Sequence, residues 1–409
     1  MRNRFMALAL VAVLALSLSG MVAAQDKTKI RVWTGSSSPV ENEYKQDQVA
    51  AFMKANPDVE VDLQILPDYG TQIQAAFASG DYPEVFTIGQ GDFPSRADSG
   101  VIAVGGDKIP DQADIYPGLL AAFSVDGTPY CVPKDFSTLG LIYNKDLFDK
   151  AGVAYPTADW TWKDMQDAAK KLTSGDVVGF ADTADYNRWM GFFYGNGGQL
   201  FDKDGKVVFN SPEGVAALDF YAGFAKDGTG KTPKDLDSGW GGEAFGKGKA
   251  AMVIEGNWAI GFLAETYPEV KWGVAELPTA PSGKKGTLTF TECWAVGAAA
   301  KDKVADAAWK LVNYMTDKDG AMNVATAGFG VMPARASAAD AWIKTKGHEE
   351  LGAFVTGASY AVAPVWPLGY ADFDKALVDG TNAVIAGQQT AQEAMDAAAK
   401  VAEDIKANG

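Results

Sequence analysis

His348 is the only histidine in the 409 residues, and Cys131 and Cys293 are the only cysteines. No closed zinc site of the His/Cys type can be assembled from that set, because such a site needs four ligands and only three are present. A Ser-His-Asp or Cys-His relay would have to run through His348, which lies in Lys344-Thr345-Lys346-Gly347-His348-Glu349-Glu350, a charged run that reads as a solvated loop or helix edge. Asp202-Lys203-Asp204-Gly205 starts like a calcium loop but lacks the later ligands and closing glutamate. It reads as a hairpin turned at Asp204-Gly205, and no metal or cofactor is expected. What remains is carboxylates and rings. The 52 acidic residues leave paired-carboxylate chemistry open. The 11 tryptophans and 14 tyrosines supply more rings than two modest cores require. Trp33, Trp189, Trp240, Trp258, Trp294 and Trp366 stand beside glycine or polar residues instead of inside apolar runs, so each is a candidate to offer a ring face to a ligand. Trp309 and Trp342, set in helical patterns, read as core.

The elements that must carry these residues alternate between strand and helix. Ile30-Arg31-Val32-Trp33 is a short strand running into the polar loop Thr34–Pro39, followed by a helix bearing Val40, Tyr44, Val49 and Phe52. Asn56-Pro57 stops it. Val59, Val61, Leu63 and Ile65 alternate with polar residues as a half-buried strand, Ile73, Ala76 and Phe77 space as a helix, and Val85–Ile88 is another strand. That order implies an open α/β sheet, which binds ligands at the carboxyl ends of its strands. Ser36 and Ser37 follow the first strand; Gln90 and Asp92 follow the third. Thr161 caps a helix through Met165, Ala168, Ala169 and Leu172, Ser211-Pro212-Glu213 opens another, and Thr390-x-x-Glu393 is a capping box for a terminal helix buried through Met395, Ala398, Ala402 and Ile405.

The first residues read as an export signal: Arg2 and Arg4, the apolar run Phe5–Leu18, and Val22-Ala23-Ala24 before Gln25. The expected signal spans 1–24. An uncleaved anchor is the alternative, weakened by Ser17, Ser19 and Gly20. Position 21 is Met, so the lipoprotein cysteine is missing, and a soluble periplasmic product starting near Gln25 is expected. The formal charge of −16 becomes about −18 once the two signal arginines are removed, which disfavours nucleic acid and anionic lipid as partners. In an exported chain Cys131 and Cys293 either form a bridge across about 160 residues, worth roughly 5 kcal/mol by loop entropy, or stay as two buried thiols. The residues alone leave both open.

The run Tyr130-Cys131-Val132-Pro133-Lys134-Asp135-Phe136 through Leu141-Ile142-Tyr143-Asn144-Lys145-Asp146-Leu147-Phe148 to Gly152-Val153 resembles the most recognisable segment of the family 1 extracellular solute-binding proteins, the sugar-binding subunits of ABC importers. Ala78–Phe86, Trp160–Asp164, Phe245–Met252 with Gly256-Asn257-Trp258, and Met332–Arg335 follow in the family's order. The resemblance implies a two-lobe α/β periplasmic-binding-protein fold with a hinge and an inter-lobe ligand cleft. The lobes would be 26–132 plus 295–340 and 135–292 plus 345–409. Cys131 and Cys293 would both fall at lobe crossings, which favours a disulfide.

Sugar capture by aromatic stacking and hydroxyl hydrogen bonds then singles out Trp33, Trp189, Trp240, Trp258, Trp294 and Trp366 as rings, and Ser36, Ser37, Gln90, Asp92, Asp135, Glu255, Asn257 and Glu292 as polar partners. The resemblance implies a monomer that hands a mono- or oligosaccharide to a membrane permease and catalyses nothing. The competing readings are a receptor for polyamines or another small solute, and a secreted carbohydrate-active enzyme. The scarcity of Arg and Lys at the strand-end loops, Arg96 and Arg188 excepted, disfavours a phosphate ligand.

Overall fold

The computed structural model describes residues 27–36, 39–328, 330–346, 351–363 and 370–408. The expected export signal, Ser37, His348 and Trp366 lie outside the described residues. The first half opens with β1 (Thr28–Thr34), α1 (Pro39–Ala55), β2 (Val59–Ile65), α2 (Tyr69–Ser79) and β3 (Val85–Gly89). Then come β4 (Val132–Asn144), α3 (Trp162–Leu172), β5 (Val178–Ala181), α4 (Tyr186–Gly195), α5 (Pro212–Lys226), β6 (Ala250–Gly256) and α6 (Trp258–Thr266). The chain closes with β7 (Thr287–Val296), α7 (Asp302–Thr316), α8 (Tyr370–Ile385) and α9 (Ala391–Asn408).

These strands form one path, β2-β1-β3-β7-β4-β6-β5, ending on the short strand Gly230–Lys231. β1 is parallel to both β2 and β3, as their helical crossovers require. β7 is antiparallel to β3 and to β4. β4 joins the halves: Val132–Thr138 pairs with β7, and Leu139–Tyr143 pairs with β6. All 13 residues of β4 are buried, as befits a strand covered on both faces. The fold is therefore mixed α/β with two lobes sharing crossing strands.

Local chemistry explains the helix boundaries that position the rest. Thr161 and Asp164 form a reciprocal capping box at α3, and Ser211 accepts from the amide of Gly214 at the start of α5. Thr390 and Glu393 exchange the same pair of bonds before α9. Asp202 accepts the amides of Asp204 and Lys206, making the expected turn, with Gly205 at φ 73°. The second lobe packs on rings: Trp162 stacks on Phe220 at 4.4 Å, and Phe192 meets Phe220 edge-on at 4.9 Å. Trp309 and Trp342 are core, as their helical settings predict.

Cys131 and Cys293 are bonded, with Cα atoms 5.7 Å apart and both residues fully buried against Phe86, Ile88 and Phe123. The bridge links the approach to β4 with the middle of β7.

Asp182 directly follows β5 and is fully buried. Burial lifts its pKa to about 8, against a smaller opposing pull from the backbone at Ala225. The folded protein therefore keeps a proton that the unfolded chain, with an aspartate near 3.9, gives up from about pH 4 upward. Stability should fall across roughly pH 4–8 by about 1.4 kcal/mol per pH unit from this group. Asp182→Asn is expected to match the wild type near pH 4 and to exceed it increasingly up to pH 8. Urea titrations of both proteins across that range would expose parallel curves if the carboxyl carried no such shift.

Candidate functional site

A cavity of about 620 Å³ opens where the carboxyl ends of β1 and β3 face the start of α4 and the residues after β6. Gly35, Ser36 and Glu41 line it from the first strand-helix turn, and Gly89, Gln90 and Gly91 from the third. Tyr186, Asn187, Trp258 and Phe290 form the opposite wall. The floor is crossing strand: Lys134, Asp135 and Ser137 of β4 beside Thr291 and Glu292 of β7. A cavity this size falls within the roughly 300–1,000 Å³ of small-molecule sites.

The floor owes its chemistry to a register break. Glu292 opposes Asp135, but Cys293 opposes Pro133, so Lys134 has no partner across the ladder. Such a bulge re-aims side chains that a regular strand would send to opposite faces. Lys134 and its neighbour Asp135 accordingly meet, Nζ to Oδ2 at 2.5 Å. The same Nζ lies 3.5 Å from Glu41 Oε1 and 3.5 Å from Glu292 Oε2. Behind Glu41, Lys45 Nζ donates to Glu41 Oε1 at 2.6 Å, to the carbonyl of Gly35 at 2.7 Å and to Thr34 Oγ1 at 3.1 Å.

Burial drives the electrostatics of this cluster. It raises Asp135 to about 6 against the pull of Lys134. It would lower Lys134, but Asp135, Tyr44, Glu292 and Glu41 together hold that lysine well above its ordinary value. Lys45 falls below its ordinary value, from burial and from Lys134. Gln90 ties the first lobe to the floor: its Nε2 donates to the carbonyl of Thr289 at 2.6 Å and its amide to that of Thr291 at 3.2 Å.

The aromatic wall is equally constrained. Trp258 and Phe290 meet edge-to-face, 5.4 Å apart at 87°. The indole Nε1 of Trp258 donates to Glu255 Oε2 at 3.2 Å. Asp185 caps α4, its Oδ1 accepting from the amide and the Nδ2 of Asn187 at 2.9 and 3.0 Å. Tyr186 donates through its hydroxyl to Asp374 at 2.6 Å.

Of the residues chosen from sequence, Ser36, Gln90, Asp135, Trp258 and Glu292 come together on the cleft. Seven others do not line it. Trp189 is wholly buried in the second core, its Nε1 bonded to Thr381 Oγ1 at 3.0 Å, because it lies on the packed face of α4. Trp294 points from β7 into the first core, and Trp33 packs beside the disulfide cluster. Trp240 precedes a short helix and rests on Phe262, 4.8 Å between rings. Asp92 is exposed and begins the helix Phe93–Asp98. Glu255 and Asn257 are fully buried behind the wall, Glu255 on β6 and Asn257 donating its backbone N–H to Ser137 Oγ at 3.0 Å. Sequence reasoning missed Glu41, Lys134, Ser137, Tyr186, Asn187, Phe290 and Thr291. Lys134 and Ser137 sat inside the quoted family run beside Asp135, and Tyr186 and Asn187 beside Trp189.

Residues 47–350 match the bacterial extracellular solute-binding protein family. The chain belongs to that family. This solute-binding protein is 27% identical over 308 residues to the sn-glycerol-3-phosphate-binding periplasmic protein of Brucella suis, covering 66% of each chain. Its fold is similar to that of an ABC substrate-binding protein from Listeria monocytogenes solved in complex with cycloalternan, with TM-score 0.84 and 29% identity over 93% of this chain and 99% of that one. The GacH receptor of Streptomyces glaucescens, solved unliganded and in complex with acarbose, shares the fold at TM-score 0.82, 24% identical over 93% and 98% of the two chains. Among the described residues of this solute-binding protein, no helix is long and apolar enough to cross a membrane.

Proposed function

We propose that this protein captures a sugar, as a mono- or oligosaccharide, in the cleft and delivers it to the permease of an ABC importer, acting as an exported periplasmic monomer without catalysing a reaction. The lobes are taken as 26–132 plus 295–340 and 135–292 plus 345–409, with residues 1–24 removed on export. The observation that carries this reading is the make-up of the cleft, in which the Trp258–Phe290 wall faces amide, hydroxyl and carboxylate groups on the opposite lobe and floor. A pyranose offers the matching pair of surfaces, apolar C–H faces and a rim of hydroxyls. The cycloalternan-bound relative supports an oligosaccharide. Each lobe supplies part of the lining, so a sugar that touches both favours the closed form by its difference in affinity for the two states.

The glycerol-3-phosphate-binding relative supports a second reading, a glycerophosphate-type ligand meeting Lys134. That lysine is already shared among Glu41, Asp135 and Glu292, which leaves an anion facing more acid than base. The sugar is therefore preferred.

Thermal unfolding against glucose, maltose, maltotriose, spermidine and sn-glycerol-3-phosphate tests the reading. A sugar at a hundred times its Kd should add about 2.7 kcal/mol, without being cleaved. Trp258→Ala should weaken that sugar by about 2 kcal/mol or more, roughly thirtyfold, as for a buried aromatic anchor. A saturable shift confined to spermidine or to glycerol-3-phosphate would replace sugar as the cargo.

A further inference from the structure

We propose that Arg188, which does not line the cleft, is a positioning residue that fixes the aromatic wall, acting through Glu255 on Trp258 and through Asp185 on Asn187. Its guanidinium sits in the first turn of α4 with the side chain only 12% exposed. Nη2 donates to Glu255 Oε2 at 2.8 Å and Nη1 to Asp185 Oδ2 at 3.1 Å. Its central carbon lies 5.5 Å from the centroid of the Trp258 ring, within cation–π range.

The oxygen that accepts from Arg188, Glu255 Oε2, is the one that accepts from the Trp258 indole. Two donors on one atom fix its place, and that place sets the rotation of the ring that crosses Phe290 at 87°. Glu255 is fully buried at the end of β6, where burial already raises its pKa against Arg188. Without Arg188 the carboxylate would stand unpaired in a dry layer, and it would take up a proton or turn away. Either response weakens the acceptor that holds the indole.

The second arm works on the neighbouring lining residue. Asp185 holds Asn187 through Oδ1 and Arg188 through Oδ2. One planar fork thus ties the start of α4 to the end of β6, two segments that each supply the cleft with a contact. A lysine could reach one carboxylate but not hold both in one plane.

The test first reads the ring itself, without a sugar. In 15N–1H spectra, the Trp258 indole hydrogen is assigned by its loss in Trp258→Phe, and its solvent exchange is followed in the intact protein. Arg188→Met is expected to speed that exchange tenfold or more. The Trp189 hydrogen, held by Thr381, and the Trp342 hydrogen, held by the carbonyl of Gly330, should keep their rates. Glu255→Gln, whose amide oxygen still accepts, should leave Trp258 within threefold of wild type. Should Arg188→Met fail to fold, Glu255→Leu removes the acceptor directly and should speed the same hydrogen.

Unchanged Trp258 exchange in Arg188→Met or in Glu255→Leu overturns the proposal, and so does equal acceleration at all three tryptophans, which would report general loosening. The binding consequence, which rests on the sugar reading, is measured with maltotriose. Arg188→Met should weaken it at least tenfold alone and by clearly less in a Trp258→Ala background, where only the Asn187 arm is left to lose. If the wild type ignores maltotriose while the exchange result holds, maltotriose fails as cargo and the positioning role stands.

Discussion

Lys134→Met is expected to lower the free energy of unfolding by about 3–5 kcal/mol, the cost of removing one partner from a buried ion cluster. Methionine fills much of the same volume, so the loss is electrostatic. Asp135 loses its ion-pair partner, while Glu41 retains Lys45 at 2.6 Å. The deficit should also depend on pH, with a definite sign. Asp135 already titrates at about 6 in the folded protein, above the ordinary aspartate value near 3.9. Losing Lys134 pushes it higher. A carboxyl whose folded pKa is raised makes the folded state retain protons, so stability falls as pH rises from about 4 through the folded pKa. The variant should come closest to wild type near pH 4–5 and fall furthest behind at pH 8. Lys134→Met/Asp135→Asn should recover most of the loss, since it leaves no unpaired carboxylate on β4. Urea unfolding at pH 5 and pH 8 decides it: a loss below 1 kcal/mol at pH 8, or a double variant no better than the single, would show that the cluster does not hold the floor together.

The cluster also marks where the sequence stopped being readable. Strand and helix order, the cap at Thr161, the capping box at Thr390 and the turn at Asp204-Gly205 rest on local chemistry, and the structure repeats them. Helix α1 was legible as a helix but not for what its buried side carries. Glu41, Lys45 and Gln48 are buried beside Tyr44, Val49 and Phe52, a polar stripe at helical spacing that hydropathy reads as a solvent face. The bulge at Lys134 is a property of two strands far apart in sequence, so no local pattern shows which of Lys134 and Asp135 faces the cleft. That Trp189 and Trp294 lie away from the cleft has a related reason. A ring beside a glycine or polar residue can equally be the buried side of an alternating strand, as Trp294 is, or the packed face of a helix, as Trp189 is. Trp258 lines the cleft because it stands two residues beyond β6, at the strand end where an α/β cleft forms.

The disulfide is expected to contribute a similar free energy by a different route. Replacing both cysteines by alanine frees a loop spanning 162 positions in the unfolded chain, for which loop entropy predicts a loss of about 5 kcal/mol. The location adds a consequence that entropy does not contain. Cys293 is the first residue of β7 beyond the register break, opposite Pro133, and Cys131 stands two positions before Pro133. The bridge therefore clamps the strand pair on one side of the bulge that turns Lys134 toward Asp135. A one-residue slip would turn Asp135 and Ser137 together to the opposite face of β4. Cys131→Ala/Cys293→Ala should then lose ligand affinity by more than its stability predicts, measured well below its unfolding midpoint, where nearly all molecules are folded. Restoring stability with a saturating osmolyte should leave that affinity loss in place. If the double variant binds as tightly as wild type whenever it is folded, the bridge acts on the unfolded chain alone and the bulge holds its register through Asp135, Thr291 and the ladder around them.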